Sequence, residues 1–274
     1  MPTFRLPASL GLLLVGLHLL YGALQVALLF PLAGASRRQR LRRRWSQGLL
    51  GVLGIRIEVA AGIASGLEGG LLVANHISFV DIFLINALLP SSFVAKGDVA
   101  RWPLIGWLAR RNGTVFIERG NRKAAQQARE HLLAALGKGQ RLAIFPEGTT
   151  TAGDRVLPFH GALFQAAIDA AVPVYALALS YHDSSGVRSE APAYIDDVTL
   201  IDCLGAILRT RGLVARVHCA ASFPPPLPNR RHLAHHAHQA IVRTLAHLPD
   251  PRNRGAKPFQ APRQPLRNEV EIRQ

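Results

Sequence analysis

At 274 residues the chain is long enough for one sizeable domain with appendages. Its net charge of +15 suggests a nucleic-acid partner only until the distribution is examined: residues 1–45 hold seven arginines and no acid, residues 229–274 hold nine Lys/Arg against three acids, and the stretch between is left at only +2. A folded domain so nearly neutral argues against nucleic acid, and two basic ends fit an anionic membrane surface.

The first predicted element runs from Leu10 to Phe30, "LGLLLVGLHLLYGALQVALLF". These are 21 residues without a formal charge, interrupted by His18 and Gln25. As a helix it is about 30 Å long, the thickness of a bilayer's hydrocarbon core. A cleaved leader has a shorter apolar stretch with its basic residues in front. Here only Arg5 precedes, while "RRQRLRRR" (Arg37 to Arg44) follows. The order predicts an uncleaved anchoring helix, single-pass or monotopic, in the cytoplasmic (inner) membrane. By the positive-inside rule the rest of the chain faces the cytoplasm, against the anionic inner-leaflet surface. Residues 45–54, "WSQGLLGVLG", read as an interfacial helix, so 1–54 form the anchor.

Beyond residue 54, short apolar runs alternate with helical ones. Strands are predicted at 55–60, 71–74, 92–95, 114–118, 141–145, 172–181 and 213–223. Helices are predicted at 79–89, 98–110, 121–137, 161–171 and 201–211, with a last one at 231–247 after the break "FPPPLPNRR". In 121–137, Ala125, Ala128, Leu132, Leu133 and Leu136 recur at helical spacing. Strands alternating with helices predict an α/β domain over 55–248, with a mostly parallel sheet flanked by helices. Ligands of such sheets sit beyond the carboxyl ends of the strands. The tail 249–274, rich in Pro, Arg, Gln and Asn, reads as a disordered basic segment.

Polar clusters begin where predicted strands end. "NHISFVD" (75–81) follows the strand "LLVA". Five positions inside one helix would point His76 and Asp81 roughly 140° apart. With His76 in the preceding turn and Asp81 in the first helical turn, Ser78 acting as N-cap, the carboxylate can reach the imidazole and fix its tautomer. The free ring nitrogen then accepts a proton from a substrate hydroxyl. The bland alternative is a capping aspartate beside a core histidine. Neither G-x-S-x-G nor a C-G-x-C-W-like motif accompanies the pair, which favours direct attack by that hydroxyl. Main-chain N–H groups at the start of the helix are candidate oxyanion donors. "FPEGTTT" (145–151) places Glu147, Gly148 and Thr149 after the strand "RLAIF"; Glu147 can bind a polyol or hold a loop together. "TVFIERGNR" delivers Arg119 to another strand end, and Arg119, Arg122 and Lys123 suit an anionic head group.

In this order the blocks resemble the lysophosphatidic acid acyltransferase family of glycerolipid acyltransferases. "NHISFVD" is similar to its N-H-x-x-x-x-D block, "FIERG" to its second, "FPEGT" to its third and "VPV" (172–174) to its fourth; the resemblance covers about 70–185. It implies that His76 is the general base and Asp81 its orienting partner. Arg119, Glu147, Gly148 and Thr149 would bind the acceptor, a membrane lysolipid. The donor would be an acyl thioester of coenzyme A or acyl carrier protein, a co-substrate in place of any cofactor or metal. 1-Acyl-sn-glycerol-3-phosphate, giving phosphatidic acid, is the first expected acceptor. One departure bears on it: many phosphate-acceptor members have E-G-T-R, whereas this chain has Thr150 in place of the arginine. "FPEGTT" followed by "GDRVLPFHGALF" is similar to relatives that acylate lyso-ornithine lipid, the alternative acceptor.

Other features are weaker. The histidines of "HLAHHAHQ" (232–239) read as a solvated helix face in preference to a metal site. His160 suits either the acceptor pocket or packing, and "WPLIGWL" (102–108) suits a membrane-touching lip. Cys203 and Cys219 match no zinc spacing and read as reduced thiols.

Overall fold

A computed structural model describes residues 7–60, 63, 67–117, 122–210 and 212–248, with the backbone alone for 122–125. The expected tail from Pro249 lies outside the described residues. Seven strands form one sheet: β1 (Arg56–Val59), β2 (Gly70–Ala74), β3 (Ser92–Lys96), β4 (Val115–Ile117), β5 (Arg141–Ile144), β6 (Val174–His182) and β7 (Val214–Phe223). Their order across the sheet is β1-β7-β6-β2-β5-β3-β4. Every neighbouring pair is parallel except β6 and β7, which run antiparallel with an irregularity at Ala176/Leu177. All seven strands fall where the apolar runs predict them.

The centre of the sheet is buried on both faces, which is why "GLLVA" and "VYALALSYH" show no polar alternation. The period of two instead sorts side chains between two cores. Leu72 and Ala74 of β2, with Tyr175, Leu177, Leu179 and Tyr181 of β6, meet α3 (Val80–Leu88) and α7 (Leu200–Arg209). Leu71 and Val73, with Val174, Ala176 and Ala178, meet α5 (Arg122–Gly137), α6 (Phe164–Asp169) and α8 (Arg230–His247). On α5, Ala128, Leu132 and Leu136 are buried, as their spacing predicts.

Two predicted helices are shorter than expected. The 98–110 segment breaks into a 3-10 turn (Gly97–Arg101) and α4 (Ile105–Arg111), because Pro103 cannot continue a helix. Trp102 and Leu104 stand exposed at that break. The 161–171 segment likewise opens as a 3-10 turn, Gly161–Leu163, before α6. Thr199 caps α7 by accepting from the Asp202 N–H, and Asn229 caps α8 by accepting from Arg231 and His232.

At the N-terminus, α1 (Ala8–Leu28) is long and apolar enough to cross a membrane. One face carries exposed Leu13, Leu17, Leu20, Leu24 and Leu28; the other, with Val15, Gly22, Gln25 and Val26, is buried. The two polar interruptions of the apolar run lie inside this packing. His18 stacks on Trp45 with ring centroids 5.1 Å apart, and its Nε2 meets the Trp45 carbonyl at 2.9 Å. Gln25 donates to the Tyr21 hydroxyl. A Cβ on Gly22 would collide with the Trp45 ring, so only glycine permits this approach.

The second helix, α2 (Ala35–Val52), begins ten residues before the predicted interfacial segment and contains the whole arginine run. Its Leu49 and Leu50, with Leu53 just beyond, join the core that holds Leu72, Leu84 and Leu177. Two of the arginines fasten the helix to the domain. The Arg42 guanidinium donates to the Ser91 carbonyl (2.9 Å), the Asn112 carbonyl (2.9 Å) and Asn112 Oδ1 (3.2 Å). Burial pulls its pKa down to about 10, so it stays a cation at neutral pH. Arg43 and Gln47 donate to the Leu88 and Ala87 carbonyls, which the end of α3 leaves without helical partners.

Arg42→Ala strands the Ser91 carbonyl, leaves that of Asn112 only the long bond from the Ser92 hydroxyl, and is expected to cost about 2–4 kcal/mol, because hydrogen bonds to a charged donor contribute roughly 1.5–3 kcal/mol each and are not additive. Arg44→Ala, which removes an exposed side chain, is expected to stay within about 0.5 kcal/mol. Chemical unfolding in detergent reads the difference.

Candidate active site

β2 ends at Ala74 in the middle of the sheet, and the next residue ties down the turn that follows. The Asn75 side chain donates to the Leu179 carbonyl (3.0 Å) and accepts from the Leu179 N–H (2.8 Å), so an amide continues the pairing with β6 after the strand stops. His76 then leaves the sheet and α3 starts at Val80. Asp81, in its first turn, points back over the loop.

The Asp81 carboxylate is wholly buried and accepts four hydrogen bonds. Oδ2 takes His76 Nδ1 at 2.9 Å, the Ile77 N–H at 2.7 Å and the Ser78 N–H at 2.9 Å. Oδ1 takes the Tyr181 hydroxyl at 2.7 Å. An ionised carboxylate only accepts, so the His76 nitrogen facing it carries a proton, and Nε2 is the nitrogen turned away from Asp81. The His76 side chain is 19% exposed, and among the described residues its Nε2 has no hydrogen-bond partner. Ser78 contributes its N–H to Asp81, while its hydroxyl accepts from Val80 at 3.3 Å; the residue preceding α3 is Phe79. The expected Ser78 N-cap is therefore displaced by one residue, because Asp81 takes over the first-turn donors. The Ile77, Ser78 and Val80 N–H groups are spent on this scaffold, which removes them as oxyanion donors.

A second loop clamps the first. Phe145, at the end of β5, lies flat against the His76 ring, with centroids 3.9 Å apart and planes at 9°. Glu147 is 4% exposed, and both its oxygens go to main chain: Oε1 accepts from His76 N–H and Oε2 from Leu157 N–H, each at 2.7 Å. In return the Thr151 N–H donates to the His76 carbonyl at 2.9 Å. Gly148 makes the turn between them at φ +72°, a conformation that favours glycine. Burial pushes the Glu147 pKa up to about 7; the two N–H donors oppose this, and the nearby Asp81 charge adds to it.

Of the residues singled out from sequence, His76 and Asp81 meet directly. Glu147 lies beside them on the loop's inner side, Gly148 at its turn, and Thr149 is exposed. Arg119 lies outside the described residues, and for Arg122 and Lys123 only the backbone is described. Thr150 turns its hydroxyl to the Tyr194 carbonyl, and the Tyr194 N–H donates to the Ile77 carbonyl at 3.0 Å. His160 donates its N–H to the Pro146 carbonyl at 2.9 Å. Among the described residues no cluster of His, Cys, Asp or Glu suits a metal ion, and both cysteines are free thiols. Sequence reasoning passed over Tyr181. The one signal available was a tyrosine near the end of an otherwise apolar central strand.

Three comparisons bear on this geometry. The sequence model of the Acyltransferase family matches residues 58–180. The 1-acyl-sn-glycerol-3-phosphate acyltransferase of Neisseria meningitidis serogroup B is 40% identical over 180 residues, which cover 66% of this chain and 70% of that protein. The lyso-ornithine lipid O-acyltransferase of Pseudomonas aeruginosa is 38% identical over 235 residues, covering 85% and 88%. The crystal structure of the 1-acyl-sn-glycerophosphate acyltransferase PlsC of Thermotoga maritima shares the fold. It superposes with a TM-score of 0.62 at 19% identity, over 92% of this chain and all of that one. Identity at this level over most of two relatives leaves one conclusion: the chain belongs to the acyltransferase family and is an O-acyltransferase.

Proposed function

We propose that the enzyme moves an acyl chain from an acyl thioester to the free hydroxyl of a lysolipid, with 1-acyl-sn-glycerol-3-phosphate as acceptor and His76 as general base. The observation that carries the reading is the bare Nε2 of a histidine whose other nitrogen is fixed by a buried aspartate. Nε2 takes the proton of the acceptor hydroxyl as its oxygen attacks the thioester carbonyl. The tetrahedral intermediate collapses to the new ester and a thiolate, which takes the proton back from the imidazolium. Asp81 stabilises that cation, Tyr181 and the loop amides hold Asp81, and Phe145 keeps the ring plane. Glu147 acts in this scheme as a positioning residue, because both its oxygens are committed to main chain. Head-group contacts are left to Thr149, the Gly148 turn and Arg119. The donor is the thioester of coenzyme A or acyl carrier protein, and the chemistry uses no prosthetic group.

The exposed leucine stripe of α1 fits insertion into one side of a bilayer, because its opposite face is packed on α2 and the domain. A monotopic anchor on the inner membrane's cytoplasmic face follows, with the site held near the lipid interface.

A second acceptor, lyso-ornithine lipid, is favoured by Thr150. Its side chain is absorbed into the loop scaffold and offers no cation to a phosphate. The Pseudomonas relative, named for that lipid, also matches over more of the chain.

His76→Ala is expected to lower kcat by at least about 10³-fold with the far-ultraviolet spectrum unchanged; near-normal turnover would remove His76 from the chemistry. Paired assays with 1-acyl-sn-glycerol-3-phosphate and lyso-ornithine lipid decide the acceptor. Transfer to the first supports the main reading, and transfer to the second alone replaces it. Glu147 gives a pH signature. Between its ordinary value of 4.5 and about 7 the folded chain holds a proton that the unfolded chain has released. Its contribution to stability therefore declines as pH rises through that window and levels off above it. Thermal unfolding across pH 4.5–7 is expected to fall less steeply in Glu147→Gln than in the wild type; parallel slopes would contradict the assignment.

A further inference from the structure

Between β3 and β4 the chain builds a small lobe from a 3-10 turn, Gly97–Arg101, and α4. Three contacts fix it. Arg110 donates to the Ala100 carbonyl at 2.7 Å, and Gly106 lies so close to that carbonyl that a Cβ would collide with it. Arg42 of α2 grips Asn112 just past α4. Between the two helical pieces the tip turns back at Leu104. Its φ of 60° and ψ of −54°, with the Ile105 N–H on the Pro103 carbonyl at 2.6 Å, make a γ-turn of the rare, strained kind. The strained turn holds apolar side chains out in water: Trp102 is 47% exposed and Leu104 48%. Strain and exposed apolar surface both weigh against the fold, and covering the tip with an apolar phase offsets them.

The charge around the tip says what that cover is. Residues 96–111 carry Lys96, Arg101, Arg110 and Arg111 against the single acid Asp98, a net of +3, although the whole stretch 46–228 holds only +2. Arg101 pairs with Asp98 at 3.6 Å, and Lys96, Arg110 and Arg111 are exposed. Two copies of the chain meeting through this face would set +3 against +3, whereas an anionic leaflet attracts it. A tryptophan and a leucine flanked by lysine and arginine match the headgroup level of a bilayer, where the ring sits at the boundary and the cations reach phosphates. α4 also packs against α1, so the lobe stands on the side of the sheet where the leucine stripe lies.

The lobe grows from the edge of the sheet that carries His76. β2, β5 and β3 are neighbours and parallel, so His76, Phe145 and Gly97 all follow strand ends on that edge. Aromatic rings connect them: Phe93 of β3 lies 6.1 Å from Phe145, which lies flat on His76. We propose that the Trp102–Leu104 tip inserts into the headgroup region of an anionic leaflet, as an attachment point separate from α1, and holds this edge of the sheet against the lipid. The lipid contact stands on the lobe alone; that it brings His76 to a membrane-borne acceptor rests on the acyl-transfer reading.

Full-length enzyme in vesicles of equal parts phosphatidylcholine and phosphatidylglycerol tests this. A nitroxide is placed on Leu104→Cys in a Cys219→Ser background, Cys203 being buried. It is read against a nitroxide on Gln127→Cys, an exposed position of α5 on the other face of the sheet. The label at 104 is expected to collide more with oxygen, which concentrates in lipid, than with a water-soluble nickel chelate, and the label at 127 to show the reverse. Chelate-dominated collisions at both positions overturn the proposal. So does shielding from both agents at 104, which would put a second copy of the chain there. Tryptophan quenching by lipid brominated in its acyl chains needs no label and is expected to fall in Trp102→Phe; unchanged quenching also overturns the proposal. Trp102→Ser/Leu104→Ser is expected to keep its rate on detergent-dispersed lysolipid and to raise the apparent KM for vesicle-borne lysolipid at least about tenfold. Equal losses in both assays would make the lobe a structural element only and overturn its part in presenting the acceptor. Absence of transfer in the wild type would instead defeat the acyl-transfer reading, while the label at 104 still reports the lipid contact.

Discussion

A buried carboxylate has to be fully satisfied or it destabilises the fold, and the Asp81 carboxylate is satisfied by four donors from two parts of the chain. Two are main-chain amides of the loop it folds back on, one is a tyrosine 100 residues away on β6, and the last is the ring of His76. The loop's shape, the start of α3 and the seating of β6 against β2 therefore meet at one group. Removing any donor leaves a buried charge short of a partner, which is how a small region of sequence comes to fix the orientation of an imidazole.

Around that centre the structure uses main chain more than side chains. Glu147 holds two amides, Thr151 returns a bond to the His76 carbonyl, Thr150 reaches the Tyr194 carbonyl and Tyr194 reaches Ile77. Two loops that follow separate strands thus become one rigid body, and Phe145 supplies a flat support beneath the ring. In the proposed mechanism, preorganisation of this kind keeps His76 aimed before substrate arrives, where a mobile loop would lose part of the advantage of orientation. The same economy appears at the N-terminal helices. Arg42 and Arg43 spend their charge on the carbonyls of Leu88, Ser91 and Asn112, which fastens α2 to the domain bearing the site.

Much of this was legible beforehand for definite reasons. Buried strands such as "GLLVA" announce themselves by unbroken apolarity, and α5 by the spacing of Ala128, Leu132 and Leu136. His76 and Asp81 could be paired because a turn-then-helix geometry was the one way for residues five apart to meet. Tyr181 was hidden, since nothing local tells a core tyrosine from one whose hydroxyl ends on a carboxylate 100 residues back. The role of Glu147 was left open between ligand and loop, because the choice depends on where Leu157 returns. Sequence marked the boundary of α2 too late, because arginine runs look solvated until the carbonyls they cap are located.

The central claim is that Asp81 fixes the His76 tautomer with Nε2 free to accept a proton. ¹⁵N nuclear magnetic resonance of histidine-labelled enzyme, assigned by comparison with His76→Ala, reads it directly. The bond to Asp81 predicts a proton on Nδ1 and none on Nε2. A ring carrying its proton on Nε2 would contradict the account, because that nitrogen could then accept nothing from an acceptor hydroxyl.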